Sequence, residues 1–509
     1  MKNILFLGIL ILTPVFSFSQ NPGDATFQAA VLHDINITFT QPDYFDSLMY
    51  YKQHPDSVSG TQKMMAGITI DGTFIDSIGI EFKGNSSFGC CGTKRSIKIT
   101  FNNYVSGKKY DGLTVIDLNN NALDPTMMRE KLMLDFMNAE GLPAPRCAFA
   151  KVNYNGQFIG VYKMIEQVNK QFISTHYSDW GGNLFKGDPQ GDLMWHGSTA
   201  SAYYPYYELH SNKVANDWSD LVNLIDNINN TPAANFRDTL ESVLNTAPMI
   251  GQWAARNLFV DEDSYFNAPH NYYLYHNTST NKFEWNTWDV SVSFGFYPFH
   301  TELQNDTLSI LSSNFPLTNH MLADPVYKTA YLNAICNYLD YFDTTNISPM
   351  IDSLANVIRP AVYLEPDSNK MFPNPVFEGG LNSFNVPTPM GDIPGLKKFI
   401  ADRRASVISQ LALMSFTCTN SVNDLSDLKP DVKVYPNPFS TSTTLRIANG
   451  TIANDELKIY DMLGREVRPA IIINSDSFVI SRGDLKSGMY FYRLINKNLF
   501  ISSGKLIVQ

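Results

Sequence analysis

The pattern of the chain breaks near residue 432, and that break decides how many bodies it can fold into. Beyond it, residues 433–509 hold short strands punctuated at Pro436-Asn437-Pro438, Asp461 to Gly464 and Ser487-Gly488. Closely spaced strands with turn residues between them predict a small all-β, immunoglobulin-like sandwich. A polar linker, Cys418 to Asp431, precedes them and is assigned to residues 417–432. Residues 20–416 differ in kind. Strand and helix patterns interleave there, and 44% of the whole chain is apolar, enough for a sizeable core. Interleaving of that sort predicts an α/β (α+β) domain.

The first residues bear on the compartment. Lys2 is followed by an apolar run, Ile4 to Phe16, and then by Ser17-Phe18-Ser19 with small residues at the cleavage positions. This is the pattern of an export signal over residues 1–19. The run is too short for a comfortable membrane span, and no later segment is long enough, so no transmembrane helix is expected. The formal net charge of −11 argues against a nucleic-acid partner. Five cysteines leave at least one unpaired. Adjacent Cys90 and Cys91 can each seek a different partner, and the pairing stays open.

Within the large domain, His33 to Phe39 alternates as a strand does. Met64 to Phe82 reads as a hairpin around Asp71-Gly72, and Val152 to Ile165 as another around Asn155-Gly156. A Gly/Cys-rich loop, Gly84 to Thr93, leads into a strand over Ser96 to Phe101. Asp124-Pro125-Thr126 is a helix start, with Met128 to Ala139 following at helical spacing. Amphipathic helices are expected over Asp217 to Asn229, Ala233 to Asn245 and Met249 to Val260, and again within 324–358 and 394–416. Asn271 to His276 and Lys282 to Asp289 read as paired strands.

The C-terminal module carries a specific set of motifs. Val434-Tyr435-Pro436-Asn437-Pro438-Phe439, Leu457 to Arg465, Leu485 to Arg493 and Gly504 to Val508 stand in order. Together they resemble the sorting domain of the type IX secretion system of Bacteroidetes. The resemblance implies recognition of residues 433–509 by the outer-membrane translocon, then release or attachment at the cell surface.

The large domain holds no G-x-S-x-G, H-E-x-x-H, G-x-x-x-x-G-K-[ST] or G-x-G-x-x-G motif. Its scattered segments are more telling. Phe82 to Ser87, Lys94 to Lys98, Asp124 to Thr126 with Arg129-Glu130-Lys131, Gly182 to Asp188, Asp261-Glu262-Asp263, His270 to Tyr275 and Trp288-Asp289 together resemble the spore-coat CotH kinase family. That family implies an atypical protein-kinase-like fold, with ATP and Mg or Mn used to phosphorylate protein hydroxyls. Such chemistry needs cations on the phosphates, carboxylates on the metal and a carboxylate near the attacking hydroxyl.

On that resemblance, Lys94, Arg95 and Lys98 are candidate phosphate contacts, with Lys94 and Lys98 on one strand face and Arg95 on the other. A solvated charged strand is the plain alternative. Glu166 matches an acid that pairs with such a lysine, and Lys186 lies in a Gly-bounded strand on the nucleotide side. Asp263 is the candidate catalytic base, with Asp261 its rival. Asn271 and Asp289 are candidate metal ligands. Ser291 stands where family members often carry a second acid, which weakens the metal site. Two other readings remain open: a surface binding protein or adhesin on a retired kinase fold, with Tyr203 to Tyr207 as a contact loop, and a glycan-active enzyme using Asp261, Asp263 and Asp289.

Overall fold

The computed structural model describes residues 21–509 apart from 29, 55–61, 178, 299, 301, 311–313, 383, 389–390, 419–430, 449–454, 462–465, 476 and 497–498. The predicted export signal, and most of the predicted linker, lie outside the described residues.

Seven strands near the N-terminus form a closed barrel: β1 (Leu32–Thr38), β2 (Met64–Ile70), β3 (Thr73–Phe82), β4 (Ile97–Thr100), β5 (Val115–Asn119), β6 (Cys147–Tyr154) and β7 (Gln157–Glu166). Their order is β1-β2-β3-β4-β5-β7-β6, and the parallel β1–β6 pair closes the ring. Two-residue alternation puts Ile35, Ile68, Ile80, Ile99, Leu118, Val152 and Met164 into one barrel core. Closure leaves no unpaired edge. Both expected hairpins are present. Asp71-Gly72 and Asn155-Gly156 take positive φ at both central residues, as a two-residue hairpin turn requires. Strand β4 is shorter than expected, so Lys94 and Arg95 precede it rather than sharing its faces with Lys98. Helix α1 (Tyr44–Gln53) buries Leu48 in the barrel core.

Helix α2 (Arg129–Ala139) starts later than the Asp124-Pro125-Thr126 signal suggests, with Met128 as its N-cap, and Asp124 braces the turn before it. The Asp124 carboxylate accepts from the backbone N–H of Thr126 and of Arg129 at 3.0 and 2.9 Å. Helix α3 (Lys170–His176) follows the barrel. A second sheet, in the order β11-β10-β8-β9, is built from β8 (Leu184–Gly187), β9 (Tyr207–Leu209), β10 (Tyr272–Asn277) and β11 (Lys282–Thr287).

Helices α4 (Ser219–Asn230), α5 (Phe236–Val243), α6 (Thr246–Leu258), α7 (Pro316–Ala323), α8 (Pro325–Tyr338), α9 (Thr344–Leu364), α10 (Asn374–Gly380) and α11 (Leu396–Leu413) pack with this sheet around one large core. Helix α4 buries Leu221, Leu224, Ile225 and Ile228, the spacing of one helical face. The expected 324–358 segment is divided between α8 and α9, where Asp343 caps the Thr345 N–H at 2.8 Å. A short pair, β12 (Asn385–Val386) and β13 (Ile393–Pro394), lies between α10 and α11. Cys90 and Cys91 pair with each other rather than with different partners. Cys336 pairs with Cys418, and Cys147 is free and buried.

The C-terminal module contains two small antiparallel sheets. One is β14 (Asp431–Tyr435), β15 (Ser442–Ala448) and β18 (Ser477–Ser481). The other has the order β17-β16-β19-β20, from β16 (Asp455–Tyr460), β17 (Glu466–Ile473), β19 (Gly488–Asn496) and β20 (Leu499–Val508). Leu445 and Ile480 of the first meet Leu457, Leu494 and Leu506 of the second in a common core. Asn437 ties the Pro-Asn-Pro turn to β20, accepting from Ile507 N at 2.7 Å. Among the described residues no helix is long and apolar enough to cross a membrane.

Candidate active cleft

A cleft of about 670 Å³ lies between the barrel and the second sheet, and charged side chains from both line it. On the barrel wall, β4 and β5 place Lys98 opposite Asp117. Lys83, just past β3, donates to Asp117 Oδ2 at 2.9 Å and to Asn119 Oδ1 at 3.1 Å. Lys163 projects from β7 to Glu130 in the first turn of α2, at 3.0 Å, with Asp124 at 3.8 Å. Both partners line the cleft although their side chains are only 1% and 2% exposed. Burial would lower the Lys163 pKa, but the Glu130 and Asp124 carboxylates outweigh it and raise it, so the ammonium keeps its charge.

The opposite wall comes from the loop after α6 and the ends of β10 and β11. Asp263 receives His270 Nε2 at 3.1 Å and Asn271 Nδ2 at 3.2 Å. Burial works to raise the Asp263 pKa, yet those two hydrogen bonds and the imidazole charge hold it below the usual carboxylate range. Asp289 follows β11, and its Oδ1 accepts from Ser291 Oγ at 2.6 Å. Asn271 and Asp289 both have left-handed backbones, with φ of 64° and 46°. Such strain in non-glycine residues clusters at functional sites.

Arg256 of α6 organises this wall. Its guanidinium reaches Asp261 Oδ2 at 2.7 Å, the Asn271 carbonyl at 2.8 Å and the Trp288 carbonyl at 2.5 Å. Asp261 is fully buried in that pair. Burial, opposed by Arg256, lifts its pKa to about 7. The two acids that the sequence leaves equivalent are thus separated: Asp263 faces the cleft and Asp261 braces the loop behind it.

Of the residues singled out from sequence, Lys98, Lys186, Asp263, Asn271 and Asp289 come together in this cleft. Lys186 pairs with Asp188 there. Lys94, Arg95 and Glu166 do not line it. Lys94 turns inward and is 2% exposed, 2.7 Å from Glu365 beyond the end of α9. Arg95 donates to the Cys90 carbonyl and stacks over Phe88. Glu166 ends β7 and holds Arg146 through two bonds of 2.9 and 2.7 Å, beside Asp24. The cleft also holds Lys83 and Glu130, which lie in family-like segments but carry no role by sequence alone, and Asp117 and Lys163, which no motif singles out. Lys163 did carry a signal, since it is a single cation inside the apolar run of β7. A lysine buried in such a strand needs an acid partner.

Among the described residues no three His, Cys, Asp or Glu side chains converge as a metal cluster. The residues that could hold a metal are Asp289 and Asn271; the Asn271 Nδ2 is spent on Asp263, which leaves its amide oxygen free to ligate. That sparse set suits magnesium, which takes one or two protein ligands and fills the rest with water and phosphate oxygens.

A family model described as CotH kinase protein matches residues 80–407, more than half of the chain. The chain belongs to this family. A second model, a secretion system C-terminal sorting domain, matches residues 433–509. The sorting tail marks this CotH-family chain for the type IX machinery and so for secretion or the cell surface. Inner spore coat protein H of Bacillus subtilis strain 168 is 27% identical over 277 residues, covering 54% of this chain and 75% of that protein. Invasin CotH2 of Rhizopus delemar is 25% identical over 207 residues, 38% of this chain and 34% of that protein. An endo-acting ulvan lyase of Formosa agariphila is 37% identical over 90 residues, 18% of this chain and 17% of the lyase.

Proposed function

We propose that this chain is an exported protein kinase of atypical, kinase-like fold. The cleft takes ATP, and the terminal phosphoryl group passes to a protein hydroxyl. The observation that carries this reading is the opposition, across one cleft, of the Lys163–Glu130 ion pair and an ionised Asp263 beside Asp289 and Asn271. Phosphoryl transfer asks for fixed cations around the phosphates and an acceptor for the hydroxyl proton. Lys163, Lys83, Lys98 and Lys186 supply the first. Asp263, kept ionised by His270 and Asn271, supplies the second. The hydroxyl oxygen forms a bond to the γ-phosphorus, the bond to the β-phosphate oxygen breaks, ADP departs and the proton goes to Asp263. Asp289 and Asn271 would hold Mg or Mn, which neutralises phosphate charge when bound. On this reading residues 1–19 direct export, 20–416 carry the chemistry and 433–509 the sorting signal.

A non-catalytic surface binding protein is the second reading. Ser291, standing where family members often carry a second acid, favours it, since its hydroxyl donates to Asp289 rather than adding a carboxylate. One relative bears the name invasin.

The test is autophosphorylation of the mature chain with labelled ATP and Mg or Mn, beside Asp263→Ala and Asp289→Ala. Label in the parent and in neither variant is the expected result. Equal label in both variants overturns the site assignment. No label, with no nucleotide-dependent thermal shift, transfers the conclusion to the binding protein.

A further inference from the structure

A second concavity lies apart from the residues of the cleft, between the loop at residues 193–200 and the first turns of α4. It measures about 370 Å³, the size of a small-ligand site. Trp195, Ser198, Asn216, Trp218, Asn223 and Asp226 line it. We propose that this groove binds a neutral oligosaccharide.

The frame is rigid before any ligand arrives. Asn229 Nδ2 on α4 donates to the Leu193 carbonyl at 2.8 Å, and Tyr203 Oη to the Gly197 carbonyl at 2.9 Å. His196 pairs with Asp192 at 3.0 Å and stacks on Tyr206 with ring centroids 4.0 Å apart. These contacts flank Trp195 on both sides. Trp218 is buried, with its indole N–H committed to Asn216 Oδ1 at 2.8 Å, and forms part of the wall. Trp195 is only partly buried against the core, so an indole surface remains for a ligand. A loop held this way loses little entropy on binding.

The chemistry of the lining selects the ligand class. A pyranose has an apolar C–H face, which suits an indole, and a rim of hydroxyls that both donate and accept. Asn223 and Ser198 offer groups that do both, and Asn216, whose Oδ1 already accepts from Trp218, offers its amide N–H. No lysine, arginine or histidine lines the groove, whereas Asp217 and Asp226 do, so sulfated, phosphorylated and uronate sugars are repelled. A basic peptide is less well served. The Asp217 carboxylate already accepts from Ser219 N at 2.9 Å, and Asp226 Oδ1 from Asn230 at 2.6 Å. Export to the cell surface puts the groove among extracellular polysaccharides. The inference stands independently of the phosphoryl-transfer reading.

Titration calorimetry of the mature full chain with neutral gluco-, manno- and xylo-oligosaccharides, beside a uronate oligomer and an oligolysine, tests it. Binding of a neutral oligosaccharide but not of the uronate is expected. Trp195→Ala should weaken it about tenfold or more, a loss of about 1.4 kcal/mol. Asn223→Ala, at an exposed position on α4 that supports no packing, should weaken it measurably with unchanged melting. No binding of any neutral sugar at millimolar concentration, equal binding by both variants, or tighter binding of the oligolysine overturns the proposal.

Discussion

Replacing Arg256 with Met separates its two duties, because one can be restored without the other. The arginine neutralises the buried Asp261 carboxylate at 2.7 Å and donates to the Asn271 and Trp288 carbonyls. Removing one partner of a buried ion pair costs about 3–5 kcal/mol. Each carbonyl left without its donor adds about 1–3 kcal/mol where water cannot replace it. The Asp261 pKa already stands near 7, so protonation absorbs part of the first cost. The expected loss for Arg256→Met is therefore about 4 kcal/mol, read as a shift of the urea midpoint. Adding Asp261→Leu removes the stranded carboxyl and should recover about half, since apolar replacement of both partners is often neutral. The carbonyls that set Asn271 and Trp288, the neighbour of Asp289, stay unheld. Phosphoryl transfer should therefore remain at least tenfold down in the double variant, with the main loss in kcat. A double variant as unstable as the single one would refute the ion-pair account. Full activity in the double variant would refute the positioning account.

Three further outcomes follow from the geometry. Asp261 and Glu262 both have pKa values raised to about 7, chiefly by burial, so the folded state holds protons that the unfolded chain releases near the ordinary carboxylate values of 3.8 and 4.5. Their contribution to stability is present below the unfolded values and is lost as pH rises to about 7. Asp261→Asn should flatten that fall in a melting series against pH, and an unchanged slope would contradict it. Lys163→Met strands Glu130, while Asp124 keeps Arg129 at 3.6 Å, and should cost about 3–5 kcal/mol in denaturant unfolding. Lys163→Met with Glu130→Leu regains stability without regaining transfer. Lys94→Met with Glu365→Leu replaces a buried pair that does not line the cleft, so labelling by ATP should persist within a factor of about 2, at a stability cost of about 1–3 kcal/mol from the Val161 N–H that loses Glu365 Oε2. Loss of labelling there would return Lys94 to the phosphate contacts.

The local signals in the chain were legible where one element decides the outcome. The Asp71-Gly72 and Asn155-Gly156 turns and the α4 face follow from neighbours within a few residues, whereas α2 begins at Arg129, later than the Asp124-Pro125-Thr126 signal places it. Errors arose where a charge had alternatives. Lys94, Arg95 and Lys98 look equivalent in sequence, yet β4 begins at Ile97 and only Lys98 reaches the cleft. Glu166 found Arg146, twenty positions earlier, because β6 and β7 are paired there. Asp261 and Asp263 differ by two positions, and Arg256 decides which is buried.

The mixed α+β body, the β-rich tail with its sorting motifs and most helices and hairpins are legible in the sequence alone, as is the grouping of Asp263, Asn271 and Asp289, which the fold sets along one cleft. Periodicity and turn chemistry are local, and motif resemblance needs no coordinates. Only the tertiary structure decided the closure of the barrel through the parallel β1–β6 pair, the Cys90–Cys91 and Cys336–Cys418 bonds, and the Lys163–Glu130 partnership. The barrel closure, the Cys336–Cys418 bond and the ion pair depend on which distant surfaces meet, while Cys90 and Cys91 bond to each other with Cys336 and Cys418 paired and Cys147 buried. A buried charge takes whichever opposite charge the packing brings within reach.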